Sequence, residues 1–417
     1  MRQDSDPPFE PMPESSSRPQ RARSRARSLL LLLPLVELIA WGDLCSAAAL
    51  HSLTRSVAFH PSSPSPLSVL SKRQQAQQTR LGFKQLFQPS LAAAGPSLKQ
   101  HPIVILPGFG NDALDYTNPM KMGEDTSLKA ALERRGYNVY VVPIARREWL
   151  SVARDFLTRR FWTGECRPDG PGFRWYLDRV RTTVDRVRRR DWPGGALPPK
   201  VVLVGHSAGG WLARAVMGDG TWRNETDEET GESTVEYTQD IVQGVISLGS
   251  PHYPPPPPAL DMTRGVLTYV CREYPGTFHK EKGIFYVSVV GDAVTGDVQA
   301  DRGTLERFAF QSYEVVCGSG DGVRGDGVVP LRSAYLDGSR CVTMSGVYHS
   351  INVPDSWYGS ENVVDTWLAA AQDELQQMTT TGREGGKGSG AAERRWWELF
   401  SDWPDSPTQD AGRLQLG

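Results

Sequence analysis

The pentapeptide Gly205-His206-Ser207-Ala208-Gly209 has the residue types and spacing of a nucleophile elbow. An apolar run directly precedes it, and a helix-compatible stretch directly follows it. A serine held above a sheet at a sharp strand-to-helix turn needs small flanking residues, because the backbone there is strained and closely approached. Gly205 and Gly209 meet that need, so the pattern predicts Ser207 as the nucleophile of an acyl transfer; the competing interpretation is a structural glycine-rich turn.

Acyl transfer also requires N–H donors for the negative charge that develops on the substrate oxygen. The N–H of Ala208, directly after the predicted nucleophile, is one candidate donor. The segment 106–111 follows the first apolar strand, and there Phe109 supplies a second candidate. The alternative for this segment is an ordinary turn built on its Pro-Gly pair.

The general base is predicted to be a histidine late in the chain, because a triad of this kind runs in the order Ser, acid, His. The chain has seven histidines, and only His349 follows both the elbow and an acid in a loop. His206 lies inside the elbow, and the others lie in the N-terminal segments, before the first strand or in an insert. The order requirement therefore selects His349.

Three aspartates between the elbow and His349 are candidates for the acid that orients the base. Asp326 lies 23 residues before His349, Asp292 directly follows a predicted strand, and Asp321 lies in a glycine-rich turn. Each could equally be a turn aspartate that bonds nearby backbone amides. The residues by themselves leave this choice open.

From residue 101 to 378, short apolar runs alternate with amphipathic stretches, a pattern that predicts an α/β fold. We expect a mostly parallel central sheet with helices on both faces. The predicted strands are 103–106, 139–142, 201–204, 242–248 and 284–290, and the predicted helices are 127–135, 173–189, 207–217 and 361–377.

Two inserts interrupt this alternation. Residues 219–240 are polar and acidic and are interpreted as a surface loop, in which Asn224 begins a glycosylation acceptor sequence. Residues 251–278 contain five consecutive prolines followed by apolar residues from Leu260 to Tyr269. Because this second insert directly follows a predicted strand, we interpret it as a candidate lid over the site.

The N-terminal segments resemble targeting sequences rather than folded structure. Residues 1–58 combine an arginine-rich run with a short apolar stretch and then small residues, which is typical of a signal peptide. Residues 59–100 contain no Asp or Glu and are rich in Ser and basic residues, as transit peptides are. This two-part pattern, with Phe59 at the junction, resembles the leaders of algae with complex plastids and predicts a plastid location; the alternative is the endoplasmic reticulum or secretion.

The remaining sequence bounds the partners. Residues 379–417 form a glycine-rich tail that is expected to be disordered, although its tryptophans suit peripheral membrane contact. A formal charge of −2 gives no electrostatic reason to expect a nucleic acid. Five cysteines without a C-x-x-C pair indicate neither a zinc site nor a dense disulfide framework, and no metal or organic cofactor is implied.

From residue 102 to 368 the chain resembles the lipase-type α/β-hydrolases, most closely the plastid and cyanobacterial group related to the GPI inositol-deacylases. In the lipases that it resembles, the acid belongs to a D-G-hydrophobic-V sequence about twenty residues before the histidine, which implies Asp326 here. The chain departs from the commoner His-Gly oxyanion loop by having Pro107. The resemblance rests on Pro107-Gly108-Phe109-Gly110-Asn111, Gly205-His206-Ser207-Ala208-Gly209-Gly210-Trp211, Gly249-Ser250-Pro251-His252, Gly325-Asp326-Gly327-Val328-Val329-Pro330 and Tyr348-His349-Ser350.

The sequence thus predicts a serine hydrolase that cleaves carboxylic esters through a covalent acyl-enzyme. A lipid acyl ester is the expected substrate, from the apolar insert and the resemblance, and a small soluble ester would suit the same residues. One alternative is an inositol-deacylase-like activity on GPI lipids in the endoplasmic reticulum. Another is a binding protein of the same fold without catalysis.

Overall fold

The computed structural model describes residues 96–189, 199–226 and 233–381. Six strands form one sheet in which every neighbouring pair is parallel. The strands in these ranges are β1 Ile103–Leu106, β2 Val139–Val141, β3 Val201–His206, β4 Thr221–Thr226, β5 Ser233–Tyr237, β6 Val242–Leu248, β7 Phe285–Gly291, β8 Val294–Thr295, β9 Arg324–Gly325 and β10 Arg340–Met344. The central sheet has the order β10-β7-β6-β3-β1-β2.

The helices of these ranges follow the strands in alternation, as a parallel sheet requires. They are α1 Leu128–Arg134, α2 Arg159–Thr163, α3 Arg174–Arg189, α4 Ala208–Met217, α5 Thr238–Ile241, α6 Val266–Glu273, α7 Leu305–Cys317, α8 Leu331–Ala334 and α9 Glu361–Thr381. Short 3₁₀ helices occupy Leu98–Gln100, Ala113–Tyr116, Pro119–Lys121, Glu124–Thr126, Arg146–Leu157 and Lys280–Lys282.

Both faces of the central sheet are covered, which explains why its strands are continuous apolar runs. Val104 and Leu106 of β1 point into a core formed with α3, α4 and α6. Ile103 and Ile105 point to the opposite face, where the core is formed with α1 and α9. Successive side chains of a strand alternate between faces, so one buried run supplies two cores. The predicted α/β fold with helices on both faces is confirmed, and the central sheet is entirely parallel.

The sequence analysis did not find the sixth strand of the sheet. β10 lies at the sheet edge, and Arg340 and Cys341 at its start are exposed. An edge strand that buries little apolar surface lacks the continuous run by which the interior strands were recognised. The sequence analysis also missed helices α6 and α7. Glycines, prolines and aspartates flank both helices, and such residues are typical of loops.

The acidic insert is not a simple loop. Within 219–240, β4 and β5 pair as an antiparallel hairpin, and α5 follows them. Trp222 of β4 is buried, and its indole Nε1–H donates to Asp185 Oδ1 over 3.2 Å. Packing of this tryptophan on α3 holds the hairpin against the body. The interpretation of this segment as a loop was wrong. Most of its residues are polar, so the sequence pattern hid the single buried residue, Trp222, that anchors the strand.

The second insert divides into two parts that differ in burial. In its second half, Val266, Leu267 and Val270 of α6 are buried in the core shared with α3 and α4. In its first half, Leu260 is 49% exposed. The apolar residues from Val266 onward therefore belong to the core of the domain. Before α6, residues 252–255 are buried, whereas residues 257, 258 and 260 are exposed and keep the surface position that a lid requires.

Several expectations fall on residues outside the described ranges. The leader, the transit-like segment up to residue 95 and the tail after residue 381 are among them. Within the described part, no helix is long and apolar enough to cross a membrane. Four of the five cysteines are described there, and each is unpaired.

The docking of α9 on the sheet can be tested at Trp367. Its side chain is fully buried, and its Nε1–H donates to the carbonyl of Tyr358 over 3.0 Å. Trp367→Ala should lower the free energy of unfolding by about 3–5 kcal/mol, because it removes a large buried side chain and leaves a cavity. Urea unfolding followed by circular dichroism measures this. Asp373→Ala, on the exposed side of the same helix, should change stability by less than about 0.5 kcal/mol; equal losses would contradict the packing described.

Candidate active site

The carboxyl ends of parallel strands meet at one edge of the sheet, and predicted site residues follow three of those ends, with Asp326 in a loop beyond a fourth strand, β7. Ser207 follows β3, and Phe109 follows β1. Asp326 follows the short β9 strand, which is paired with β8 just beyond β7. His349 follows β10. Residues that are up to 240 positions apart are thereby brought to the same side of the molecule.

Ser207 occupies a strained backbone conformation, with φ 53° and ψ −127°, between β3 and α4. Two hydrogen bonds hold it: its N–H donates to the carbonyl of Leu248 over 2.9 Å, and Ser250 Oγ donates to its carbonyl over 2.5 Å. A Cβ at position 209 would lie 2.2 Å from the carbonyl oxygen of Leu106, so only glycine fits. This is the geometry of an elbow that lifts a side chain above the sheet edge.

The two predicted oxyanion donors belong to the start of α4 and to the loop after β1. Ala208 is the first residue of α4, so its N–H is one of the four that have no acceptor within the helix. Gly108, beside Phe109, approaches so closely that a Cβ there would lie 2.7 Å from the Ser207 Cβ. The loop after β1 therefore runs directly beside the elbow.

Asp326 and His349 are hydrogen-bonded to each other. The His349 Nδ1–H donates to Asp326 Oδ2 over 2.7 Å, and the His349 N–H donates to the Asp326 carbonyl over 2.9 Å. With Nδ1 carrying the hydrogen, Nε2 is left as the acceptor of the ring. A neutral histidine in this tautomer is suited to accept a proton from a hydroxyl.

The Asp326 carboxylate is buried, and each of its oxygens is hydrogen-bonded. Oδ1 accepts from the N–H groups of Val328 and Val329 over 3.0 and 2.7 Å. Oδ2 accepts a second hydrogen bond, from Tyr358 Oη over 2.7 Å. The pKa of Tyr358 is raised, mainly because the phenol is buried and secondly because Asp326 is close to it. The phenol therefore stays protonated and donates the hydrogen bond. The carboxylate is therefore held in one orientation toward His349.

The other candidate acids lie in different surroundings. Asp292 Oδ2 accepts from Arg324 over 2.5 Å, and its Oδ1 accepts from the Gly346 N–H over 2.9 Å. Asp321 Oδ1 accepts from the N–H of Val298 over 3.0 Å. Both bond backbone amides of turns, as the alternative interpretation of a turn aspartate describes. Of the three, Asp326 is the one hydrogen-bonded to His349.

His206 of the elbow connects the loop after β1 with the loop after β10. The Gly108 N–H donates to Tyr116 Oη over 3.0 Å, and this hydroxyl donates to His206 Nδ1 over 2.8 Å. On the other side, His206 Nε2–H donates to the carbonyl of His349 over 3.1 Å. A carbonyl only accepts, so the hydrogen of the imidazole must be on Nε2. Burial, and then the nearby His349, hold the pKa of His206 well below its usual value, so the ring stays neutral.

Pro107 replaces the commoner histidine of the oxyanion loop, and two tyrosines hold this loop in place. Tyr176 Oη donates to the Pro107 carbonyl over 2.7 Å, and Tyr116 accepts from Gly108. Sequence analysis missed Tyr116 and Tyr358, because a buried tyrosine gives no local signal of a polar role. Ser250 could have been found, since it follows the end of a predicted strand at this sheet edge.

A metal ion has no evident place in the described ranges. In them, no group of three or more His, Cys, Asp or Glu side chains is arranged to hold one. The polar groups at the sheet edge instead form hydrogen bonds with one another. The arrangement is suited to nucleophilic attack by a hydroxyl with an adjacent base.

Sequence comparison assigns the family. A family model described as the alpha/beta hydrolase family matches residues 103–410. The chain belongs to this family. The matched region covers more than half of the chain and includes the elbow, Asp326 and His349. Among proteins with curated descriptions, none matches this chain.

Several solved structures are similar to this chain at low sequence identity. Lipase 1 from Pelosinus fermentans is 14% identical, with a TM-score of 0.34, over 66% of this chain and 99% of the lipase. The metagenomic carboxyl esterase MGS0156 is 14% identical, with a TM-score of 0.35, over 70% and 82%. EstA from Clostridium botulinum is 12% identical, with a TM-score of 0.35, over 70% and 92%. The family assignment rests on the family match.

The hydrogen bonds of Tyr116 can be tested with Tyr116→Phe. This change leaves the Gly108 N–H and the buried His206 Nδ1 without their partner. We expect the free energy of unfolding to fall by about 1–3 kcal/mol, the cost of leaving buried polar groups unsatisfied. Chemical denaturation measures it. Tyr237→Phe, on an exposed tyrosine of β5, is the matched control and should change stability by less than about 0.5 kcal/mol. If Tyr116→Phe were equally mild, the bridge through His206 would not be structural.

Proposed function

We propose that this α/β-hydrolase cleaves carboxylic esters with Ser207 as nucleophile, His349 as general base and Asp326 as the group that orients the base. The hydrogen bond between His349 Nδ1 and Asp326 Oδ2, 2.7 Å long and buried, is the observation that carries this proposal. It sets the tautomer in which Nε2 can accept a proton. The strained elbow at Ser207 and the bond from His206 to the His349 carbonyl support the same assignment.

The reaction proceeds in two halves. His349 Nε2 removes the Ser207 proton as Oγ attacks the ester carbonyl carbon. The Phe109 and Ala208 N–H groups stabilise the oxyanion, and the leaving alcohol takes the proton from His349 Nε2 as the acyl-enzyme forms. His349 Nε2 then takes a proton from water as the water oxygen attacks the acyl carbon. The bond from that carbon to Ser207 Oγ breaks, the proton on Nε2 passes to Oγ, and the carboxylic acid leaves. No metal or organic cofactor takes part in this scheme.

We propose a lipid acyl ester as the physiological substrate. The insert that follows β6 begins at the sheet edge where Ser207 lies, and its Leu260 is exposed. A surface with exposed apolar side chains near a site favours a substrate with an apolar chain. The exposed residues 257, 258 and 260, ahead of α6, are the part of the insert that would contact such a substrate.

Covalent labelling tests the nucleophile. A fluorophosphonate probe should label the wild-type protein, because an activated serine attacks phosphorus as it attacks an acyl carbon. Ser207→Ala should abolish labelling. Ser151→Ala, at a partly exposed serine of the 3₁₀ helix Arg146–Leu157, is the matched control and should label as the wild type does. A folded wild-type protein that takes up no probe would favour a binding protein of the same fold over an enzyme.

A pair of variants tests the acid. Asp326→Asn should lower kcat by about 10⁴-fold with little change in KM, because an amide cannot hold His349 in the required tautomer. Asp292→Asn removes the ion pair with Arg324 but keeps an acceptor for the Gly346 N–H, so it should cost about 1 kcal/mol of stability and little turnover. Both are assayed with one soluble ester after a thermal melt shows that they are folded. The reverse ranking would assign the role to Asp292.

A further inference from the structure

A segment of 18 residues between β2 and α3, residues 146–163, lies over the carboxyl edge of the sheet; we call it the cap. It consists of the 3₁₀ helix Arg146–Leu157 and α2. The Trp149 ring lies 5.0 Å from the ring of Phe109, and its Nε1–H donates to the Asn111 carbonyl over 2.9 Å. The cap therefore adjoins the oxyanion loop.

The inner side of the cap is anchored to the body. Trp149, Val152 and Asp155 are buried and recur every third residue, which is the period of a 3₁₀ helix. Asp155 Oδ1 accepts from the Gly172 N–H over 3.0 Å. Burial raises the pKa of Asp155 above its usual value. These buried contacts hold the cap on the body of the protein, and they thereby set the orientation of its exposed side chains.

The outer side of the cap carries large apolar side chains in contact with solvent. Leu157 is 91% exposed, Leu150 is 57% exposed and Trp162 is 50% exposed. Trp162 keeps its indole N–H bonded to the carbonyl of Phe156 over 3.0 Å, so its ring has a defined position. Such a concentration of exposed apolar side chains within one short segment indicates a surface that is covered in use.

The same outer side is strongly basic. Arg147, Arg154, Arg159 and Arg160 are exposed, and none forms an ion pair within the described residues. The cap's partly buried carboxylate, Glu148, already pairs with Arg179. Four exposed guanidinium groups therefore lie in the same short segment as the exposed apolar side chains, and the complement of both is a surface that is anionic and apolar at once.

We propose that the outer side of the cap docks on an anionic lipid surface, an inference that rests on the proposed lipid ester hydrolysis. A phospholipid bilayer offers phosphates at the depth of the arginines and acyl chains below them. Trp162, Leu150 and Leu157 enter the interface, and the four arginines bond the phosphates. Docking places the Phe109 loop beside the bilayer, so that a lipid reaches Ser207 from the membrane.

Vesicle binding by the full chain carrying Ser207→Ala tests the proposal without turnover. It should co-sediment with vesicles of phosphatidylcholine and phosphatidylglycerol in equal parts, and more weakly with phosphatidylcholine alone. Adding Arg159→Gln and Arg160→Gln should weaken binding to the anionic vesicles by about fivefold for each arginine. Arg302→Gln with Arg340→Gln, which removes the same charge from exposed positions outside the cap, should leave binding unchanged.

The apolar contribution needs its own pair of variants. Leu157→Glu with Trp162→Glu should weaken binding to both vesicle types at least tenfold, since two exposed apolar anchors are lost. Leu305→Glu with Tyr237→Glu introduces the same charges at exposed apolar residues elsewhere and should bind as the parent does. Equal effects of the two pairs, or no binding by the parent, would overturn the proposal. A cap-dependent dimer in sedimentation without vesicle binding would assign the surface to a second copy instead.

Turnover separates this proposal from the proposed function. In the active protein, the ratio of vesicle-ester to soluble-ester hydrolysis should fall about tenfold on Leu157→Glu with Trp162→Glu. Hydrolysis of soluble ester without vesicle binding would overturn docking alone. Cap-dependent vesicle binding without hydrolysis of any ester would overturn the enzymatic function and leave docking standing.

Discussion

Buried polar groups must find hydrogen-bond partners inside the protein, and this constraint joins the loops at the sheet edge to one another. His206 is the centre of that arrangement. Through Tyr116 it meets the Gly108 N–H, and through Nε2 it meets the His349 carbonyl. Two loops that belong to β1 and β10 are therefore held at a fixed separation by one neutral imidazole, and Ser207 lies directly after it in the chain.

Three tyrosine hydroxyls form hydrogen bonds that hold the loop after β1 and the side chain of Asp326. Tyr116 and Tyr176 hold the loop after β1, and Tyr358 donates a hydrogen bond to Asp326. The hydroxyl of Tyr358 also accepts from the Gly291 N–H over 2.8 Å, which ties the acid to the end of β7. A phenol reaches across a core with an apolar ring and ends in a polar group, so it can bond a buried loop without bringing water with it. This explains how the loop is supported although Pro107 stands where a histidine is commoner.

The cap lies between the loop that contains Phe109 and the solvent. Trp149 connects the cap to the Phe109 loop by direct ring contact, while Leu157 and Trp162 on the other side of the cap meet solvent. The 3₁₀ period buries every third residue, and on the other two ridges Leu150, Arg154 and Leu157 are exposed. Residues 146–163 therefore connect a solvent-exposed apolar surface with the loop that contains Phe109.

The sequence by itself determined the sharp turn at Ser207 between a strand and a helix, and five of the six central strands, because these depend on local spacing and on apolar runs buried on both faces. Tertiary structure decided which aspartate meets His349, since Asp326 and Asp292 both follow strand ends and differ only in what surrounds them. It also decided that 219–240 contains a hairpin, that Val266 and Leu267 belong to the core, and that Tyr116 serves His206. Each of these depends on a contact between distant residues, which local pattern does not record.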